Sequence, residues 1–495
     1  TTEKITSTDA PTGGGGASDT HAFTFTTVVT VPKGTSINWI FVGDLAAGAT
    51  AAGTHALTVA ADGATVSGAD TGNTITDTAS GTAGTLTVAA GGTMTTALAA
   101  STPTSALVIA STATYSGIGA FDFIASDEAY TIDTISFTVT GWASVDKMKL
   151  TYPTKTGTGS REISLSAAAV TYSNMDIYVP KNGRSTVTAT ATTKRIGTGG
   201  GGTFRDTIGL VLDTSATDST EFNSIGEASG AVKDGSDVSD QTANSMYLYN
   251  TMPTIVASNP SGAGTIVPGG VQNLYKFKVT ADAAGAVAIK KFTFQIFITD
   301  ASTTTASTAD LGGFTFLRNG VDLTASALIT QVSTDGGATW LATPLTVETD
   351  DTNDLENNTS YWVQVAFGND PTGDTEQLVG AGETVEYTLR ATAGTGFTTT
   401  DAFSTTLLYD TTLPTASAVY LSDADTGTGV QQVIALQLAD ATSDWADVEF
   451  IWSDRSVLIH IASFDDDAAV ETSSADWTNG YLVNNFPVSA YGYTL

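Results

Sequence analysis

The chain contains no cysteine, which excludes a disulfide framework, a thiol site and a lipidated N-terminal Cys. Basic residues are scarce: 19 Lys and Arg stand against 51 Asp and Glu, a formal charge of −32. Phosphate contacts need clustered cations, so nucleic acid is not an expected partner. No run approaches the ~18 uninterrupted apolar residues that span a bilayer. The three histidines, His21, His55 and His460, lie far apart. HExxH, GxSxG, Walker A and regular GxGxxG patterns are all missing, and no enzyme activity is expected. Charged residues make up only 14% and hydrophobic ones 41%, a balance too apolar for a disordered chain. No charged-then-apolar leader follows Thr1, so the expectation is a removed signal peptide or a trimmed start.

What is present is β pattern. Phe23, Phe25, Val29 and Val31 alternate with Thr24, Thr26 and Thr30, the period of a half-buried strand. The same rhythm runs through Ile135/Phe137/Val139, Tyr275/Phe277/Val279 and Phe292/Phe294/Ile296/Ile298. It returns at Tyr361/Val363/Val365/Phe367, Val385/Tyr387/Leu389 and Val448/Phe450/Trp452. Outward positions are mostly Thr, Ser, Lys or Asp, and Thr suits a strand because its branched Cβ packs on the pleat. Turn clusters such as Arg318-Asn319-Gly320 and Asn182-Gly183 separate the strands. The expected fold is all-β, built of tandem immunoglobulin-like β-sandwich modules in an elongated rod.

Module boundaries come from an internal repeat. Pro-Thr followed by small and β-branched residues occurs at Pro103, Pro253 and Pro414. A second mark precedes it: Val31-Pro32-Lys33-Gly34, Val179-Pro180-Lys181-Asn182 and Val379-Gly380-Ala381-Gly382. The tail from Asn485 to Leu495 resembles a fourth copy. This spacing predicts complete modules over 104–253 and 254–414. Residues 1–103 then match the later half of a module and residues 415–495 the earlier half.

Residues 281–294 (ADAAGAVAIKKFTF), the Pro-Lys-Gly strand entry and the tail segments 450–454 (FIWSD) and 476–483 (DWTNGYLV) carry a resemblance. They are similar to large repeat-containing, S-layer-like surface proteins of uncultured candidate-phylum bacteria, and the tail motif is the most specific part. The resemblance runs through the whole chain and implies a secreted protein at the extracellular cell surface. It brings no functional residues with it.

Acidic loops are the main chemical feature. Asp350, Asp351, Asn353, Asp354 and Glu356 offer five oxygen-bearing side chains within seven residues, a candidate calcium site because calcium takes six to eight hard oxygen ligands. Asp465, Asp466, Asp467 and Glu471 form a lesser candidate, as do Asp234, Asp237 and Asp240. Beyond calcium, no cofactor is expected. Asn357 and Asn358 open overlapping Asn-x-Ser/Thr acceptors on the same loop.

The pattern supports a structural protein that self-assembles into a surface array or filament. The alternative is an adhesin for cell-surface carbohydrate or a partner cell, which needs an exposed aromatic platform. Trp142, Trp362 and Trp452 sit in strand-like contexts that favour cores instead. If the two terminal half-modules complete each other between copies, the chain is its own partner, head to tail. Phe23, Phe25, Val29 and Val31 would then fill the neighbour's core. The rival is that each terminal segment folds alone as a smaller sandwich.

Overall fold

The structure, a computed structural model, describes residues 28–40, 54–61, 63–76, 80–88, 91–214, 220–300, 309–323, 327–333, 360–367, 376–413, 419–423, 434–438, 445–446, 448–456 and 476–495. For 327–333, 419–423, 434–438 and 445–446 it describes the backbone alone. Two compact units divide the chain, 1–91 and 92–495. The fold is all-β: strands are joined by turns, and among the described residues the helical elements are two 3-10 turns, Trp142–Ser144 and Gly235–Asp237.

Among the described residues of 92–495 the strands form a separate three-stranded sheet, Val419–Asp423, Ile434–Leu438 and Trp445–Ala446, and two sandwiches. In the first, a five-stranded sheet runs in the order Gly157–Ser164, Val145–Thr154, Arg184–Thr193, Ser116–Ser126, Thr93–Leu98. Facing it, a nine-stranded sheet is centred on Tyr130–Thr140 and ends at Met246–Tyr249 beside Ala106–Ile109. The central strand buries Tyr130 and Ile132, then Ile135, Phe137 and Val139. An irregularity in its pairing between Ile132 and Thr134 shifts the register, and one extra residue swaps which parity faces the core. Phe121 of the smaller sheet meets Phe137 of the larger at 5.5 Å, and Phe123 stacks on Phe222 at 6.0 Å.

The second sandwich repeats this plan. Its five-stranded sheet runs Pro253–Ala257, Val271–Ala281, Thr384–Ala393, Leu311–Arg318, Val321–Asp322. Its nine-stranded sheet is centred on Val287–Thr299 and includes Phe450–Ser453, Ala402–Leu407 and Tyr491–Thr494. Phe277 meets Phe292 at 4.9 Å, and Phe292 stacks on Phe450 at 5.4 Å. In both sandwiches the opening strand lies on the edge of the small sheet. A short strand next to it pairs in parallel with the last strand of the sandwich: Ala106–Ile109 with Met246–Tyr249, and Gly264–Thr265 with Tyr491–Thr494.

The sandwich limits differ from the sequence expectation. Thr93–Leu98 already belongs to the first sandwich, through its ladder with Ser116–Ser126, so that sandwich opens before residue 104. Pro103 precedes the second strand of its sandwich whereas Pro253 begins the first strand of the next; both sites suit proline because they lie at strand starts near a sheet edge. The half-module expected over 415–495 does not stand apart at its described strands Phe450–Ser453 and Tyr491–Thr494. Phe450–Ser453 and Tyr491–Thr494 pair with Val287–Thr299 and Ala402–Leu407, which closes the second sandwich within one chain. The second repeat mark is structurally equivalent in both. Pro180 O accepts the Gly183 N–H at 3.0 Å and Gly380 O the Glu383 N–H at 2.8 Å, with Asn182 at φ 53° and Gly382 at φ 70°.

In the unit 1–91 there are three short antiparallel ladders among the described residues: Thr54–His55 with Leu86–Thr87, Thr58–Val59 with Gly81–Thr82, and Val66–Ser67 with Thr74–Ile75, the middle one offset by one residue from the other two. The repeated turn recurs, with the Thr35 N–H on Pro32 O at 3.1 Å and Gly34 at φ 77°. The strand expected around Val29 and Val31 is not formed over the described residues 28–40; both side chains are exposed there. Phe23 and Phe25 lie outside the described residues.

Candidate functional site: the joint between the sandwiches

The first sandwich ends on Met246–Tyr249, whose alternation buries Met246 and Leu248 in its own core. Tyr249 points the other way. Together with Leu107 it packs into the core of the second sandwich, so the two cores meet without a linker. The Tyr249 ring stacks on Trp452 at 5.2 Å and takes the edge of Phe204 at 5.4 Å. Its hydroxyl lies 3.2 Å from Thr478 Oγ1, and Trp452 Nε1 donates to Asn479 O at 2.7 Å.

The backbone that crosses the joint is held at every step. The Asn250 N–H donates to Asp454 Oδ2 at 2.6 Å. Thr251 Oγ1 donates to Gly285 O at 2.9 Å, and Met252 O accepts the Asp282 N–H at 3.0 Å. Asp454 also takes the Ser456 N–H on Oδ1 at 3.0 Å. Beside it, Ser453 Oγ donates to Asp476 Oδ2 at 2.9 Å. Asp454, Asp476 and Ser453 are fully buried.

Burial pushes the Asp454 carboxyl up to about 7; the N–H groups of Asn250 and Ser456 oppose the shift and the nearby Asp476 charge adds to it. Burial raises the Tyr249 phenol as well. Asp410, another carboxyl at the base of the tail motif, accepts the N–H groups of Glu449, Phe450 and Gly480. Burial nevertheless raises it. These carboxylates gather backbone donors, and their lone pairs hold loops in place.

A similar device sits where the first sandwich begins. The buried Glu128 accepts the Gly92 N–H at 2.8 Å, the Ala228 and Ser229 N–H groups at 3.1 and 2.9 Å, and Ser229 Oγ at 2.8 Å. Burial pushes its carboxyl up, but the bonds from Ser229, Gly92 and Ala228 outweigh it and hold it down at about 2. Glycine is required at 92: a Cβ there would lie 2.5 Å from Ser126 O and 2.6 Å from Glu128 Cγ.

The calcium candidate Asp350, Asp351, Asn353, Asp354 and Glu356 lies outside the described residues, as do Asp465, Asp466, Asp467, Glu471, His21 and His460. Asp234, Asp237 and Asp240 are engaged in local structure. Asp234 and Asp237 form a reciprocal cap on the 3-10 turn Gly235–Asp237, and Asp240 Oδ1 accepts the N–H and hydroxyl of Thr214. Among the described residues, no group of three or more His, Asp or Glu side chains is placed to hold a metal. No helix there is long and apolar enough to cross a membrane. Trp452 is a core residue as expected, whereas Trp142 opens a 3-10 turn and is 36% exposed. The joint residues Tyr249, Trp452, Asp454 and Thr478 were not marked out by their chemistry. Their signal is the tail motif, since 450–454 and 476–483 supply most of the second sandwich's side of the joint.

Neither a protein-family model nor a curated protein sequence matches this chain. Among solved structures, it is similar to the C-terminal domain of the antigen I/II polypeptide BspA of Streptococcus agalactiae, at 9% identity over 64% of this chain and 95% of that one, with a TM-score of 0.16. The C-terminal domain of the antigen I/II-family protein AspA of Streptococcus pyogenes follows at 11% identity, 64% and 94% coverage and a TM-score of 0.16. The serine-rich repeat protein Srr2 of Streptococcus agalactiae aligns at 12% identity, 63% and 86% coverage and a TM-score of 0.15. Superpositions this distant do not define a common architecture, and the all-β sandwich fold rests on the sheets themselves.

Proposed function

We propose that the chain is an extracellular structural protein of the cell surface that assembles into an array or filament. The observation that carries this reading is the joint: two complete sandwiches share a continuous apolar contact through Leu107 and Tyr249. Such a joint fixes the spacing of whatever the chain displays. An acidic, cysteine-free chain with formal charge −32 suits exposure to solvent in a crowded lattice.

Exchange of half-modules between copies needs a free C-terminal half, and that half is used inside the second sandwich. In this proposal assembly therefore runs through residues 1–91, where Val28, Ile40 and Leu86 are 89%, 88% and 74% exposed. Apolar side chains left in water favour association. Electron microscopy and sedimentation of the purified chain test the reading. Polymers that are lost in a Val28→Ser, Ile40→Ser, Leu86→Ser variant support it; a wild-type chain that stays monomeric at high concentration overturns it. Calcium bound near Asp350 and Glu356 belongs to the same proposal, and chelator should then lower the melting temperature or disperse the polymer.

A second reading, a glycan-binding adhesin, draws on Trp142 and Trp39, which are 36% and 49% exposed. Glycan-array binding that disappears in Trp142→Ala or Trp39→Ala would favour it.

A further inference from the structure

We infer that the first sandwich and its joint form a mechanical clamp that resists tension along the chain by loading its terminal strands in shear. This is a property of the chain itself and can be measured whatever surface it serves.

The clamp is the parallel pair near the two ends of the sandwich. Ala106–Ile109 lies beside Met246–Tyr249 in the register Met246↔Ala106 to Tyr249↔Ile109, and the Ala110 N–H adds a bond to Tyr249 O at 2.8 Å. Because the strands are parallel, the chain arrives at one pole and leaves at the other. Tension between those poles slides the two strands past each other along their length. All the bonds between them are then strained together, and evenly spaced parallel bonds share the load. In a hairpin pulled from its open end, the bonds would instead fail one after another. The opening strand Thr93–Leu98 is loaded in the same way, since it lies antiparallel to Ser116–Ser126 and is pulled along its own axis.

A clamp works only if force reaches it before the ends peel away, and both ends are pinned. At the incoming end, Glu128 holds the Gly92 N–H and ties it to the Ala228–Ser229 backbone. At the outgoing end, Asp454 holds the Asn250 N–H, and the Tyr249 ring is wedged between Phe204 and Trp452. Thr251 and Met252 are bonded to Gly285 and Asp282, so no slack separates Tyr249 from the next strand, Pro253–Ala257. The second sandwich repeats the arrangement with a shorter parallel pair, Gly264↔Tyr493 and Thr265↔Thr494.

Single-molecule force spectroscopy on the full chain tests this. The absence of cysteine lets two introduced thiols carry the handles. In a Thr104→Cys, Val256→Cys chain the load crosses the parallel pair in shear. In a Thr104→Cys, Ser245→Cys chain the same pair is opened from its adjacent ends. Chemical denaturation of both chains, measured without load, removes any contribution from a change in stability. The clamp predicts a rupture force several-fold higher in the first geometry than in the second at equal chemical stability. Rupture forces that do not differ between the two geometries overturn it.

Discussion

Tyr249, the last strand residue of the first sandwich, lies stacked on Trp452 of the second at a centroid separation of 5.2 Å, and with Leu107 beside it this pair joins two cores into a continuous apolar body.

Removing that ring should separate the sandwiches. Tyr249→Ala deletes a fully buried aromatic and is expected to cost about 3–5 kcal/mol, with one cooperative calorimetric transition splitting into two. Tyr249→Phe keeps the packing and loses the contact with Thr478 Oγ1, an expected cost of about 1 kcal/mol. A single unchanged transition in Tyr249→Ala would mean that the sandwiches were never coupled through this pair.

Asp454 gives the joint a pH dependence of definite sign. Its carboxyl rises from 3.8 to about 7 in the folded protein, so the native state binds this proton more tightly than the unfolded chain does. The stability it confers is complete below the ordinary carboxylate range and is lost as pH rises through about 7. Denaturant titrations on either side of that pH should show a loss that Asp454→Asn flattens.

Glu128 behaves in the opposite sense. Held down at about 2 instead of 4.5, it contributes stability above its unfolded value that is lost as pH falls through the folded one. Glu128→Ala strands buried N–H donors, with an expected cost of about 1–3 kcal/mol. Hydrogen exchange should accelerate at Gly92, Ala228 and Ser229 and spare the joint.

The repeated turn makes a backbone prediction. Asn182 adopts φ 53° and its Oδ1 accepts the Asp127 N–H at 2.8 Å. Asn182→Val brings a β-branched residue into the left-handed region, at an expected cost of about 1–2 kcal/mol, besides losing that bond. Asn182→Gly loses only the bond. Equal melting temperatures for the two variants would show that the conformation costs nothing.

Much of this fold was legible because strand alternation is a local property. Phe292, Phe294, Ile296 and Ile298 alternate in sequence and are all fully buried, and the Asn319-Gly320 turn closes a hairpin between Leu311–Arg318 and Val321–Asp322. Alternation does not reveal which strands are neighbours. Phe450 pairs with Phe292 across more than 150 residues, so the tail read as a separate half-module although it completes the core beside Phe292. Lys290 and Lys291 look like outward positions, yet both are buried where the strand irregularity between Ile289 and Lys291 changes its phase. The joint was visible only as a distinctive tail motif, because Tyr249 and Trp452 are more than 200 residues apart and alternation alone does not tell which aromatic turns toward the neighbouring sandwich.

The parallel pairing of each sandwich's early strand with its last one also sets the order in which the protein can be made. As the chain leaves the ribosome, the first sandwich can close once Tyr249 has emerged. The second must wait for Tyr491–Thr494, which at ordinary translation rates of about 5–20 residues per second is a delay on the order of 10–50 s. For most of that interval, between the emergence of residues 299 and 450, the Val287–Thr299 strand carries Phe292 and Phe294 with the Phe450 edge still missing. Pairing across such sequence distances is slow in any case. A nascent chain of this design therefore passes through a long, sticky half-built state, and synthesis is when it most needs a chaperone.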